Sequence, residues 1–93
     1  MNNDTIIEVK TANFTIPGVS KDFRNLSLFI EKAGYKRAIF LIFGNEFNGH
    51  TLNKIEAIYQ QATKALTSVS PIELWVHENC GVPACNMKML KPA

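Results

Sequence analysis

Apolar and polar positions change period several times along the 93 residues, and each change predicts an element. From Thr5 to Ile16 the period is two. Ile7 and Val9 alternate with Glu8 and Lys10, then Ala12, Phe14 and Ile16 alternate with Asn13 and Thr15. Such alternation predicts a half-buried strand. The apolar set moves from odd to even positions near Thr11, which predicts a bulge or tight hairpin around Lys10 to Asn13, because a one-residue slip exchanges the two faces. Pro17 and Gly18 are expected to end the segment as a turn. A helical period follows: Ser20 is the expected N-cap, Asp22 lies in the first turn, Gly34 follows the end near Ala33, and Phe23, Leu26, Phe29, Ile30 and Ala33 form one stripe. Leu28 falls on the charged side with Arg24 and Lys32.

Ala38 to Phe43 is apolar on both alternating faces, the pattern of a central strand covered on two sides. Gly44 to His50 reads as a loop. From about Thr51 to Val69 a second helix is expected, with Leu52, Ile55, Ile58, Tyr59, Ala62, Ala65, Leu66 and Val69 on one face. Pro71 stops it, and Ile72, Leu74 and Val76 alternate with Glu73, Trp75 and His77 as a third strand. Glu78 to Cys85 is irregular, and Met87, Met89 and Leu90 form either a short closing strand or a docked tail.

This order predicts one α/β domain over residues 1–93: a mainly parallel sheet of three to five strands with two amphipathic helices, β(β)αβαβ. The rival layout is a ferredoxin-like antiparallel α+β sandwich. If the chain winds in one direction, both helices cover one face and the other needs a different cover. A leading hairpin, a division of the helices between faces, or a second subunit would supply it. The last option makes a homodimer or a protein partner the expected association, with Leu28, Phe40, Ile42 and Trp75 as candidate interface residues.

The order of elements is similar to that of the sulfate-transporter/anti-sigma-antagonist domains, which begin with a hairpin and place a phosphorylatable Ser or Thr at a helix start after a strand. Thr51, after Phe43 to His50, would stand there. The similarity is one of element order; the Asp-Ser-Ser pattern usual in that loop is absent, and no family is assigned on it.

Composition narrows the function classes. The chain is 46% apolar and 19% charged, with ten basic and eight acidic residues and a net charge of +2. That charge is too small, and Lys36-Arg37 too isolated a basic pair, for a nucleic-acid or anionic-membrane surface. The first residues lack the basic and apolar regions of a signal peptide, and the longest apolar run, Ala38 to Phe43, is far short of a membrane span, so a cytoplasmic location with reduced cysteines is expected.

Two loops carry the candidate chemistry. In a parallel sheet Gly44–His50 and His77–Cys85 leave the carboxyl edge, where open α/β sheets bind ligands. Asn48, Gly49, His50 and Thr51 stand at a helix start whose free N–H groups suit a small anion; a capped connection that binds nothing is the plainer reading. His77, Cys80 and Cys85 join them as candidate ligand contacts. With His50 they form a conceivable zinc set, but H-x2-C-x4-C matches no common zinc module, and unlinked thiols or a disulfide are the other readings. No metal or other cofactor is expected. Cysteine–histidine catalysis by His77 and Cys80, or a carboxylate pair of Glu46 and Glu78, lacks any sign of convergence on a substrate, and phosphate-loop, dinucleotide, serine-hydrolase and metalloprotease motifs are missing. The preferred reading is a non-catalytic interaction or regulatory protein acting through self-association or a protein partner. A small-ligand or metal-binding domain on the two loops is second, and a small Cys/His enzyme third.

Overall fold

The computed structural model describes residues 4–44, 48–64, 66, 71–79, 81 and 83–92. Six elements follow in order: β1 (Thr5–Thr11), α1 (Ile16–Ala33), β2 (Arg37–Phe43), α2 (Gly49–Thr63), β3 (Ile72–His77) and β4 (Cys85–Leu90). They make one four-stranded sheet of order β1-β2-β3-β4. The first three strands are parallel and β4 returns antiparallel to β3. This is the expected small, mostly parallel α/β domain, and the parallel ladder sets aside the ferredoxin-like rival.

Both helices lie on the same side of the sheet. Val19, Phe23 and Leu26 of α1 and Ile55, Ile58 and Tyr59 of α2 share one buried cluster with Ala38, Phe40, Ile42, Ile72 and Leu74. Two right-handed crossovers that advance in one direction along the sheet leave the helices no other side. Phe23 is the centre of this core, with ring centroids 4.7 Å from Phe40 and 5.4 Å from Tyr59. The molecule measures 35 × 30 × 19 Å. Its short dimension holds two layers, one of helices and one of strands, since packed layers lie about 10 Å apart.

Three local expectations are corrected. The parity change near Thr11 marks the end of β1, not a bulge or hairpin: the chain turns there, the Ala12 N–H donates to the Phe43 carbonyl at 3.0 Å, and Ala12 and Phe14 pack against the core. Pro17-Gly18 is no turn but the first turn of α1, whose N-cap is Thr15; its hydroxyl accepts from the Gly18 N–H at 3.2 Å, and Pro is tolerated where no N–H is required. The inward stripe of α1 is then Val19, Asp22, Phe23, Leu26 and Ser27, while Phe29 and Ala33 are exposed. Phe29 meets Tyr35 edge-on at 6.2 Å.

Helix α2 begins two residues before Thr51, capped by Asn48, and buries Ile55, Ile58, Tyr59 and Ala62 as its periodicity predicts. Of the expected continuation, Ala65 and Val69 lie outside the described residues. Among the described residues no helix is long and apolar enough to cross a membrane.

Candidate functional site

With the helices on one side, the other side of the sheet is bare among the described residues, and strand parity decides what it presents. In β2 the covered parity is Ala38, Phe40 and Ile42; Arg37, Ile39, Leu41 and Phe43 point the opposite way. Register then lays out rows across the bare face: Ile7–Ile39–Glu73–Met89, Val9–Leu41–Trp75–Asn86 and Thr11–Phe43–His77. Ile7 is 53% exposed, Val9 56% and Met89 42%. Ile7, Ile39, Leu41 and Trp75, with Arg37 and Ala84, line a shallow concavity of about 310 Å³.

Beyond Ile6, which packs against the core, the edge strand β1 is inverted from Ile7 to Lys10 relative to an ordinary amphipathic strand. Its apolar residues Ile7 and Val9 face outward on the bare side, and its charged residues Glu8 and Lys10 lie on the helix side. There Lys10 Nζ stands 3.2 Å from Oδ2 of the buried Asp22, close enough for an ion pair although its alignment is too poor for a hydrogen bond. Burial pushes the Glu8 carboxyl above its ordinary value, the neighbouring Asp22 pushes it further, and Lys10 opposes both. On the other edge Lys88 also points to the helix side and donates to Glu56 Oε1 of α2 at 2.7 Å. Charge thus lies along the margins of the helix layer beside the inward Ile6 and Leu90, while Ile7 and Val9 of β1 and Met89 of β4 are turned outward.

One polar cluster interrupts the bare face. Arg37 Nε and Nη2 donate to the two oxygens of Glu73 at 2.7 Å each, and Trp75 Nε1 donates to Glu73 Oε1 at 3.1 Å. Those Arg37 bonds hold the Glu73 carboxyl below its ordinary range despite burial, and Trp75 adds to the effect. The reciprocal bonds raise Arg37. The pair is thus internally neutralised, and the face carries no unpaired charge from it.

The residues expected at an interface divide. Trp75 lies on the bare face at its centre, opposite Leu41. Phe40 and Ile42 are 0% exposed beneath the helices, which corrects their place: β2 offers Ile39 and Leu41 instead. Leu28 is on the outer side of α1, in a separate depression of about 400 Å³ with Asn25, Phe29, Lys32 and Ala33. Ile7, Val9, Ile39, Leu41, Arg37, Glu73 and Met89 were not singled out by sequence reasoning. The signal that finds them is the joint parity of neighbouring strands, which requires the register.

At the carboxyl edge, β2 and β3 are parallel neighbours, so the loops after them leave the same end of the sheet. Gly44 takes φ 138°, and its N–H donates to the His77 carbonyl at 2.9 Å. Asn48 caps α2: its Oδ1 accepts from the Thr51 N–H at 3.0 Å and from the Thr51 hydroxyl at 3.2 Å. This carboxamide occupies the place at the helix start that an anion would take. Gly49 and His50 are exposed in the first turn, and His77 lies 5.2 Å from Phe43, edge to face. Cys85 is a free, exposed cysteine at the start of β4. Cys80 and Glu46 lie outside the described residues. Among the described residues no three His, Cys, Asp or Glu side chains gather into a group able to hold a metal ion.

Compared with known protein families, curated proteins and solved structures, the chain matches none.

Proposed function

We propose that this chain is a non-catalytic interaction module whose working surface is the bare face of its sheet. The observation that carries the reading is the inversion of β1: Ile7 and Val9 point away from the helices while Glu8 and Lys10 point toward them. In a chain that works as an isolated two-layer unit, that alternation wastes apolar area on water and places charge beside the core. It becomes favourable when a further layer covers the face, because contiguous apolar patches of this kind mark association sites. The internally satisfied Arg37–Glu73–Trp75 cluster fits the same use, since a polar group can enter an interface at low cost only when its partners travel with it.

Radical footprinting of the full chain in concentrated cell extract tests this, with side-chain labelling normalised to the unfolded protein. Ile7, Val9 and Trp75 are expected to label several-fold more slowly than Leu28 and Phe29 on the outer side of α1. Equal labelling of the two surfaces would end the reading.

A further inference from the structure

Resting on the bare face as the working surface, we infer that its occupant is a second copy of this chain, packed face to face so that the two sheets form the inside of a four-layer dimer. Charge, area and geometry support this occupant.

The charge on the face is self-compatible. In a two-fold interface every group meets its own surface again, so an unpaired charge at the centre would oppose its copy. Here Arg37 and Glu73 are joined within one chain, and their rows otherwise hold Thr5, Ile7, Ile39 and Met89. A partner of strong opposite charge would find nothing to complement. The net charge of +2 for the whole chain adds little repulsion between two copies.

The area is adequate without excess. Four strands about 4.8 Å apart, with six residues at about 3.3 Å each, give a face of roughly 19 by 20 Å. Side-chain relief brings the accessible area to roughly 600 Å² per copy, so a dimer buries about 1,200 Å², at the lower end of specific interfaces. Each copy's share, roughly 600 Å², is about a tenth of the 5795 Å² surface of the chain, the share typical of such contacts.

The geometry places the best anchor in the middle. Leu41 and Trp75 are register partners on the two central strands, with Val9 next to them on one side. A two-fold axis near that pair would set each Trp75 against the partner copy's central rows, where aromatic anchors contribute most. Aligned or orthogonal packing of two twisted sheets accommodates such a contact.

Sedimentation of the full chain at high micromolar concentration, together with Trp75 emission on dilution, tests the inference; Trp75 is the sole tryptophan. Expected are a species of twice 10.4 kDa and an emission maximum that moves to the red as the protein is diluted. Val9→Lys should weaken association by about 100-fold or more, because each dimer would bury two lysines, while far-UV circular dichroism stays unchanged. Leu28→Lys should change neither. A wild-type chain that remains single at these concentrations overturns the second copy as occupant, as does a dimer disrupted by Leu28→Lys and indifferent to Val9→Lys. The footprint in extract separates the two levels. A single chain whose bare face is protected there retains the interaction reading with a different protein as partner, and a single chain with an unprotected face loses both.

Discussion

Arg37 grips Glu73 with two parallel hydrogen bonds of 2.7 Å, reaching diagonally from β2 to a carboxylate that is 8% exposed on β3. A fork of this kind fixes both side chains in one plane and is stronger than a neutral contact. Its partners are unequal, however. Glu73 is buried and Arg37 is half-exposed, so removing one differs from removing the other.

Arg37→Ala should therefore lower the urea midpoint clearly, since it leaves the buried Glu73 carboxylate with the Trp75 N–H as its donor in place of the two-bond fork. The double variant Arg37→Met with Glu73→Met should recover most of that loss, because apolar groups of similar reach need no partners. Urea unfolding of the three proteins at one fixed concentration checks both expectations, the concentration being held because association shifts apparent stability.

Glu73 and Glu8 should give opposite pH dependences. The folded Glu73 carboxyl lies below its ordinary 4.5, so its contribution is present above that value and is lost as pH falls through the folded value. The folded Glu8 carboxyl lies above 4.5, so its effect runs the other way: relative stability is fullest below 4.5 and declines as pH rises through the folded value. Glu8→Gln should accordingly raise the urea midpoint at neutral pH, by about 0.5 kcal/mol in stability for a half-exposed charge, and the gain should vanish in acid. Glu73→Gln should lower the midpoint at neutral pH and converge on the wild type in acid. Unfolding curves at neutral pH and well below 4.5 compare the pairs.

The start of α1 offers a local test. Thr15→Ala should cost about 1 kcal/mol by removing the cap on the Gly18 N–H, whereas Ser20→Ala, whose hydroxyl accepts a 3.3 Å bond from Arg24 on the exposed side, should be nearly neutral. Thermal unfolding of the two variants is sufficient. If Ser20 proved the costlier position, the helix would begin where the local pattern of Ser20, Asp22 and Phe23 predicts.

Core and bare face should respond in contrasting ways to truncation. Phe23→Ala removes the ring between Phe40 and Tyr59 and should cost about 3–5 kcal/mol. Val9→Lys, on a residue 56% exposed, should leave the stability of the single chain within about 0.5 kcal/mol. Denaturation at low protein concentration, where association contributes least, distinguishes them.

How much of this was legible in the sequence depends on the distance over which each feature is decided. Phe43 ends a six-residue apolar run and Pro71 blocks a helix, so β2, α2 and β3 follow from neighbours in the chain. The amphipathic face of α2 was likewise complete in its spacing, from Ile55 to Ala62. The phase of α1 was not, because Asp22 occupies an inward position only when Lys10 of β1 comes to meet it. The N-cap was misplaced because a proline–glycine pair has two uses, as a turn and as a first helical turn, and Thr15 decides between them through its own hydrogen bond. The site was the least legible part. That a second face needed cover could be argued from Ala38 to Phe43, but Ile39 and Leu41 could be told from Phe40 and Ile42 only once the side taken by the helices was known. Glu73 and Arg37 are 36 residues apart, and nothing local announces their bond.

The β4 edge bears on what kind of assembly this molecule can form. Its ladder slips at Leu74/Trp75, Lys88 is tied to Glu56, and Gln60 Nε2 donates to the Lys91 carbonyl just beyond the strand. A bulged edge with lysines at its end is a poor template for another strand. Head-to-tail joining of copies through their edges would require β4 of one molecule to accept β1 of the next. Where such addition does not close into a ring it propagates as a filament, whereas β1 pairing with β1 about a two-fold axis stops at two copies. Blunting one of the two edges is enough to stop that growth, so the apolar residues of Ile7, Val9 and Trp75 can be displayed on a face without the sheet becoming a seed.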